Sequence, residues 1–211
     1  MNKLILVGIF STVLSFLLTP LVKKFAVKVN AIDVPKDKRR IHKKPIPLLG
    51  GLAIYISFIT TVLLKKGALT SPEKGIIVGA TIITIGGFLD DKYDLKPMVK
   101  LIFQISAAIS LIFFGVRITL ITNPFPNSAP WIDIGWFSIP LTILWVVGIT
   151  NAINLIDGLD GLAAGVALIS SLTLFIIALL KIDTRFEAAF LTCALSGAIL
   201  GFLPYNFNPA S

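Results

Sequence analysis

The chain has 211 residues, a formal net charge of +8, and 55% hydrophobic against 14% charged residues. Soluble domains carry about a quarter charged residues, so this composition excludes an ordinary water-soluble globule. The positive charge is no argument for nucleic acid: nine of the nineteen basic residues lie between Lys23 and Lys44, directly after an apolar run. That placement speaks of membrane topology, with an anionic substrate as a second use.

Repeated apolar runs predict an all-α polytopic membrane protein with about seven transmembrane helices, at roughly 4–22, 48–64, 75–89, 98–115, 138–153, 162–180 and 187–204. The first run is too long for a signal-peptide core and lacks a small-residue cleavage site, so it is expected to be a retained helix. Glycines and prolines mark the connections, as at Pro45 to Gly51 and Pro124 to Pro130. No internal repeat or soluble segment interrupts the pattern, and residues 1–211 are expected to form a single integral-membrane domain. Cys193, the sole cysteine, excludes an intramolecular disulfide and suits packing. Seven spans put 23–47, 90–97, 154–161 and the tail after Pro204 on one side. Twelve basic residues flank that side, Lys100 included, against seven on the other. The positive-inside rule makes it cytoplasmic and places the N-terminus outside.

Polar motifs gather on that side. The segment Asp33 to Pro47 holds the only histidine, His42, among basic residues suited to a diphosphate or lipid phosphate. A topological anchor would explain its charge but not the Pro-x-Pro-x-x-Gly-Gly at 45–51. Asp90 and Asp91 end the third span; adjacent carboxylates repel and call for a cation or a shared proton, unless they simply sit in a solvated loop. Lys100 lies one turn into the next span with Gln104 four residues on, placed to bind phosphate or to snorkel to lipid headgroups. Trp131, Trp136 and Phe137 form an interfacial belt. Asn151, Asn154, Asp157 and Asp160 recur every three residues. On an α-helix each step turns about 300°, so neighbours still share a face; in a 3₁₀ turn they would align. Gly158 and Gly161 end the helix and admit close approach of a ligand. Such oxygen donors suit Mg²⁺, which keeps waters and binds substrate phosphates. Helix capping and polar glue between spans are the competing explanation.

Together the motifs resemble the polyprenyl-phosphate N-acetylhexosamine-1-phosphate transferase family. The matching blocks are Arg39-Arg40-Ile41-His42-Lys43-Lys44-Pro45-Ile46-Pro47-Leu48-Leu49-Gly50-Gly51, then Gly87-Phe88-Leu89-Asp90-Asp91-Lys92-Tyr93, then the run Asn151 to Leu162. The basic, histidine-containing block is similar to the undecaprenyl-phosphate N-acetylglucosamine-1-phosphate branch. The muramoyl-pentapeptide branch has Lys-x-Gly-Thr-Pro-Thr-Met-Gly-Gly there. The resemblance implies an Mg²⁺-dependent enzyme, with Mn²⁺ as an alternative ion. It would move N-acetylhexosamine-1-phosphate, N-acetylglucosamine-1-phosphate for choice, from a UDP-sugar to undecaprenyl phosphate and release UMP. That would be the first lipid-linked step of cell-envelope polysaccharide synthesis, at the cytoplasmic face of a bacterial inner membrane. By the same analogy Asn154 helps hold the metal, and Gly158, Leu159 and Asp160 contact the uridine. Asp157 sits by the diphosphate, Asp90 and Asp91 position or deprotonate the lipid phosphate, and Lys100, Arg40 and His42 bind phosphates. Expected partners are UDP-N-acetylhexosamine, undecaprenyl phosphate and the bilayer; a homodimer stays open, and nucleic acid is not expected. Family members continue past Asn208-Pro209-Ala210 into a Gly-Asp-x-Gly-Ser segment that supplies another metal ligand. A chain ending at Ser211 is therefore expected to be C-terminally incomplete and inactive alone.

Other classes fit less well. A transporter also carries intramembrane acids and broken helices, but its coupling sites favour the midplane and these acids lie at span ends. An intramembrane aspartyl protease would need Gly-x-Gly-Asp. A CDP-alcohol phosphotransferase would need Ala-Arg after Gly158.

Overall fold

A computed structural model describes residues 2–33, 46–125 and 129–208. All seven expected helices are present: α1 (Asn2–Lys28), α2 (Gly50–Leu63), α3 (Ser71–Tyr93), α4 (Pro97–Phe113), α5 (Ser138–Ile156), α6 (Leu162–Leu179) and α7 (Ile182–Asn206). Five are long and apolar enough to cross a membrane, with α2 and α4 shorter. The chain is an all-α polytopic membrane protein. Several bounds differ from the hydropathy reading. Helix α1 runs six residues past Val22, so Lys23, Lys24 and Lys28 are helical and not part of a loop; Lys28 suits the negative end of the helix dipole. Helix α3 starts earlier because Thr70 and Glu73 form a reciprocal capping box. The Thr70 amide donates to Glu73 Oε2 at 2.9 Å and the Glu73 amide to Thr70 Oγ1 at 3.4 Å. It also ends later, so Asp90 and Asp91 are helical residues instead of loop residues.

The chain divides into two compact units. The first comprises 1–67, 88–94 and 155–211. Its packing inverts the pattern of a water-soluble helix. Ser11, Ser15 and Thr19 of α1 are buried, while Leu6 is 65% exposed and Ile5, Ile9, Val13 and Leu17 are exposed with it. Large apolar side chains thus face lipid and small residues face protein, which lets backbones approach. A Cβ on Gly197 of α7 would lie 2.5 Å from the Gly8 carbonyl oxygen, and one on Gly201 would overlap that of Thr12. Ser11 Oγ donates to the Ala194 carbonyl at 2.7 Å, and the Cys193 thiol to that of Leu4 at 3.1 Å; such interhelical bonds contribute about 0.6 kcal/mol each in membranes. Ser196 Oγ lies 2.9 Å from Ser171 Oγ and joins α7 to α6. Gly50 opens α2 directly beneath the Phe202 ring. At the end of α1, β1 (Ile32–Asp33) and β2 (Ile46–Pro47) pair antiparallel, Ile32 against Pro47 and Asp33 against Ile46. Beside this ribbon, Val22, Ala26, Ala31, Leu49 and Ala53 form a core against which Phe88 packs.

The second unit comprises 68–87 and 95–154. Gly75, Gly79 and Gly86 of α3 admit Phe114, Ser110 and Phe103. Between α4 and α5, β3 (Leu120–Thr122) pairs antiparallel with β4 (Trp131–Asp133). Neither two- to three-residue ribbon was expected. Trp131, Trp136 and Phe137 are all exposed, as an interfacial belt requires.

Candidate functional site

In the first unit, α5 ends at Ile156 and the chain turns from Asp157 to Gly161 before α6 begins. The Gly158 amide donates to the Ile156 carbonyl at 2.8 Å, and that of Leu162 to Leu159 at 3.1 Å. Gly161 caps α6 with φ 75°, a conformation that disfavours side chains. Among the described residues nothing lies within 4 Å of where a Cβ on Gly158 would stand, so its backbone is approachable. Leu159 is exposed. Asp160 is half-buried, and its Oδ2 accepts a bond from Asn208 Nδ2 at 3.3 Å. The segment after Pro204 therefore reaches back to this turn, with the Asn206 carbonyl 3.5 Å from a Cβ built on Gly161. Spacing alone gave no hint of that return. Asp157 presents surface to solvent, yet the surrounding chain strips part of its hydration and raises its carboxyl above the ordinary aspartate range.

Asp90 and Asp91, both half-buried, occupy the last turn of α3. Two acids at the negative end of a helix are disfavoured, by about 0.3–1 kcal/mol each. Phe88, three residues before Asp91 and so on a shared face, anchors this turn to the hydrophobic core, its ring centroid 6.4 Å from that of Phe25. Asp94 closes the helix with φ 50°, its amide donating to the Asp90 carbonyl at 2.8 Å.

In the second unit, Lys100 is half-buried in the first turn of α4, and Asn154 is exposed in the last turn of α5. Asn151 is committed elsewhere. Its Nδ2 donates to Gln104 Oε1 and to the Val147 carbonyl, both at 2.9 Å, while Gln104 Nε2 donates back to Asn151 Oδ1 at 3.2 Å. The series Asn151, Asn154, Asp157, Asp160 is thus neither one helical face nor one 3₁₀ row. Its first member joins two spans, its second ends a helix, and its last two stand in the turn beyond. Arg40 and His42 lie outside the described residues.

Among the described residues, no three His, Cys, Asp or Glu converge on a common metal position. The donors among the described site residues are carboxylate and amide oxygens. That chemistry fits Mg²⁺, which takes one or two protein carboxylates and fills its shell with water and phosphate. It does not fit a closed zinc site.

Residues 74–211 match the family described as Glycosyl transferase family 4. A "Probable undecaprenyl-phosphate N-acetylglucosaminyl 1-phosphate transferase" of Bacillus subtilis (strain 168) is 40% identical over 210 residues, covering 100% of this chain and 57% of the relative. A "Decaprenyl-phosphate N-acetylglucosaminephosphotransferase" of Mycobacterium leprae (strain TN) is 35% identical over 224 residues, 100% of this chain and 56% of the relative. A "Phospho-N-acetylmuramoyl-pentapeptide-transferase" of Clostridium botulinum (strain Eklund 17B / Type B) is 36% identical over 213 residues, 95% and 64% respectively. The chain spans little more than half the length of the curated relatives it matches first.

Proposed function

This chain belongs to glycosyl transferase family 4, and on that premise we propose that it takes part in transferring N-acetylglucosamine-1-phosphate from a UDP-sugar to undecaprenyl phosphate, releasing UMP. The observation that carries the reading is the match of all of this chain to 57% of the Bacillus subtilis relative, whose name states that acceptor and that sugar. The turn Asp157–Gly161 gives it chemical sense, joining acids to approachable backbone where one helix ends and the next begins.

Both substrates are anions, so the reaction must overcome their repulsion. Asn154 would help hold Mg²⁺, which when bound offsets that repulsion and stabilises the leaving nucleotide, and Asp157 would act at the diphosphate. Asp160, steadied by Asn208, would take the uridine with the backbone of Gly158 and Leu159. Lys100, Arg40 and His42 would bind phosphate oxygens. Asp90 and Asp91 would orient the lipid phosphate and remove its proton. Direct attack of the lipid phosphate on the β-phosphorus, with the bond to UMP breaking, and a route through a phospho-aspartate both suit these groups. The expected orientation has the N-terminus outside and these residues at the cytoplasmic face of the bacterial inner membrane, serving polymers such as teichoic acid or lipopolysaccharide.

The test is UMP release in nanodiscs with UDP-N-acetylglucosamine, undecaprenyl phosphate and Mg²⁺, by this chain extended to the length of its relatives, with residues 1–211 alone expected to be inactive beside it. Stoichiometric UMP and lipid-linked sugar are expected. Proton or ion flux in liposomes without UMP release would replace the reading with a transporter. Labelling of cysteines placed at 37 and 92 from opposite faces of the membrane would reject the orientation.

A further inference from the structure

We propose that the Gln104–Asn151 amide pair is a positioning device: it sets the roll of α5 against α4, and with it the placement of Asn154 relative to Lys100. The proposal rests on the transferase reading above, which gives those two residues their roles. Only Ser138 and Thr142 of α5 are buried, both at its start. There the Ile118 amide donates to Thr142 Oγ1 at 3.0 Å and Thr142 donates to the Ser138 carbonyl. At the far end, where Asn154 stands, α5 has no buried residue, and the described hydrogen bonds from its side chains to another helix are those of Asn151 to Gln104. One end of α5 is held by packing and the other by an amide pair.

The pair is well built for orientation. A single hydrogen bond tolerates rotation, whereas two reciprocal bonds fix both amide planes. The further bond from Asn151 Nδ2 to the Val147 carbonyl pins its side chain to its own helix, and Gln104 is buried. Ile118 follows the end of α4 and Thr142 lies near the start of α5, so this bond together with the Gln104–Asn151 pair orders the two helices antiparallel. One turn toward the start of α4 brings Lys100, and one turn toward the end of α5 brings Asn154. Both therefore lie on the same side of the pair. A helix side chain acts at a radius of ~5–6 Å, so a roll of ~20° would carry the Asn154 amide through ~2 Å. Misplacement of ~1 Å can cost on the order of a hundredfold in rate.

The test compares the parent with Gln104→Leu, which keeps bulk and removes the pair, and with the transposed double variant Gln104→Asn/Asn151→Gln, which exchanges one methylene between partners. Gln104→Leu is expected to lower kcat for UMP release at least ~10-fold and raise the Mg²⁺ half-saturation, with the UDP-sugar KM within ~3-fold and the protein folded by thermal melting. The transposed variant should regain kcat to within ~3-fold of the parent. Parental kcat in Gln104→Leu, or failure of the folded transposed variant to regain it, overturns the proposal. A second arm needs no turnover: spin labels on Lys100→Cys and Asn154→Cys, in a Cys193→Ser background, should give a distance distribution that broadens or shifts with Gln104→Leu. An unchanged narrow distribution also overturns it. All these variants are made in the chain extended to the length of its relatives; absence of UMP release from that extended parent sinks the transferase reading, and the label distances then decide the positioning claim by themselves.

Discussion

Replacing Gly201 by alanine tests the physical account of the first unit, because one methyl group is enough to contradict the α1–α7 seam. The added carbon would overlap the Thr12 carbonyl oxygen and stand 2.9 Å from Ser15 Cβ; at Gly197 it would stand 2.5 Å from the Gly8 carbonyl oxygen and 3.0 Å from Ser11 Cβ. Ordinary contacts begin near 3.4 Å, so α1 must retreat by about 1 Å, and a gap of that size forfeits roughly a quarter to a half of the dispersion energy across the seam. The obstacle is backbone, which cannot rotate away. Overpacking of this kind costs about 1–3 kcal/mol, and a helical Gly→Ala exchange returns up to about 1 kcal/mol of propensity. The expected net loss is about 1–2 kcal/mol, or a midpoint lowered by roughly 3–6 °C in a chain of this length. Gly165, inside α6, is the control, since a Cβ there meets nothing within 4 Å; Gly165→Ala should gain about 0.5–1 kcal/mol of propensity. Thermal unfolding of all three proteins in one detergent, followed by fluorescence-detected size exclusion, reads the difference. A Gly201→Ala midpoint at or above that of the parent would refute the reasoning.

For the proposed reaction, Asp90→Asn and Asp91→Asn should each reduce kcat by roughly 10²–10⁴-fold if the acid removes a proton, with UDP-sugar KM little changed; near-parental turnover in both would remove them from the chemistry. Asn154→Ala should raise the Mg²⁺ concentration needed for half-activity, whereas Asp160→Ala should raise the UDP-sugar KM at an unchanged Mg²⁺ requirement, and superimposable Mg²⁺ titrations for Asn154→Ala and its parent would speak against ligation. The raised carboxyl of Asp157 gives a pH signature. Its favourable contribution is fully present below the unfolded value of about 3.9 and is lost as pH rises through the higher folded value. Asp157→Asn should therefore flatten that fall and melt no lower than the parent at pH 7 while losing activity; a melting point below the parent's at pH 7 would show that the charged carboxylate stabilises the fold.

Apolar runs made all seven helices legible, because lipid imposes a long hydrophobic stretch on every span. Their ends were less legible, since hydropathy registers solvent and not hydrogen bonds. Helix α3 begins at Ser71 because of Thr70 and Glu73, a capping pair visible in the sequence but lying outside the apolar window. The polar series at 151–160 announced a site by its spacing, yet spacing could not tell that Asn151 bonds Gln104 or that Asn208 returns to Asp160. Both are pairings over more than forty residues, which local pattern does not encode. The small residues Gly197 and Gly201 stand four apart, and only the facing carbonyls of α1 reveal why.

The ribbon of β1 and β2 has a consequence for how this chain can change. Ala31, immediately before it, and Leu49, two residues after it, are both buried, and the Leu48 amide donates to the Ala31 carbonyl at 3.1 Å. The two ends of the intervening stretch are thus clasped together on the helices themselves, whatever lies between them. Lengthening a closed loop costs only about 0.6 kcal/mol per doubling. Residues 31 and 48 are thereby held together at the ends of α1 and α2, so a change in the number of residues between them is expected to leave both helices in place.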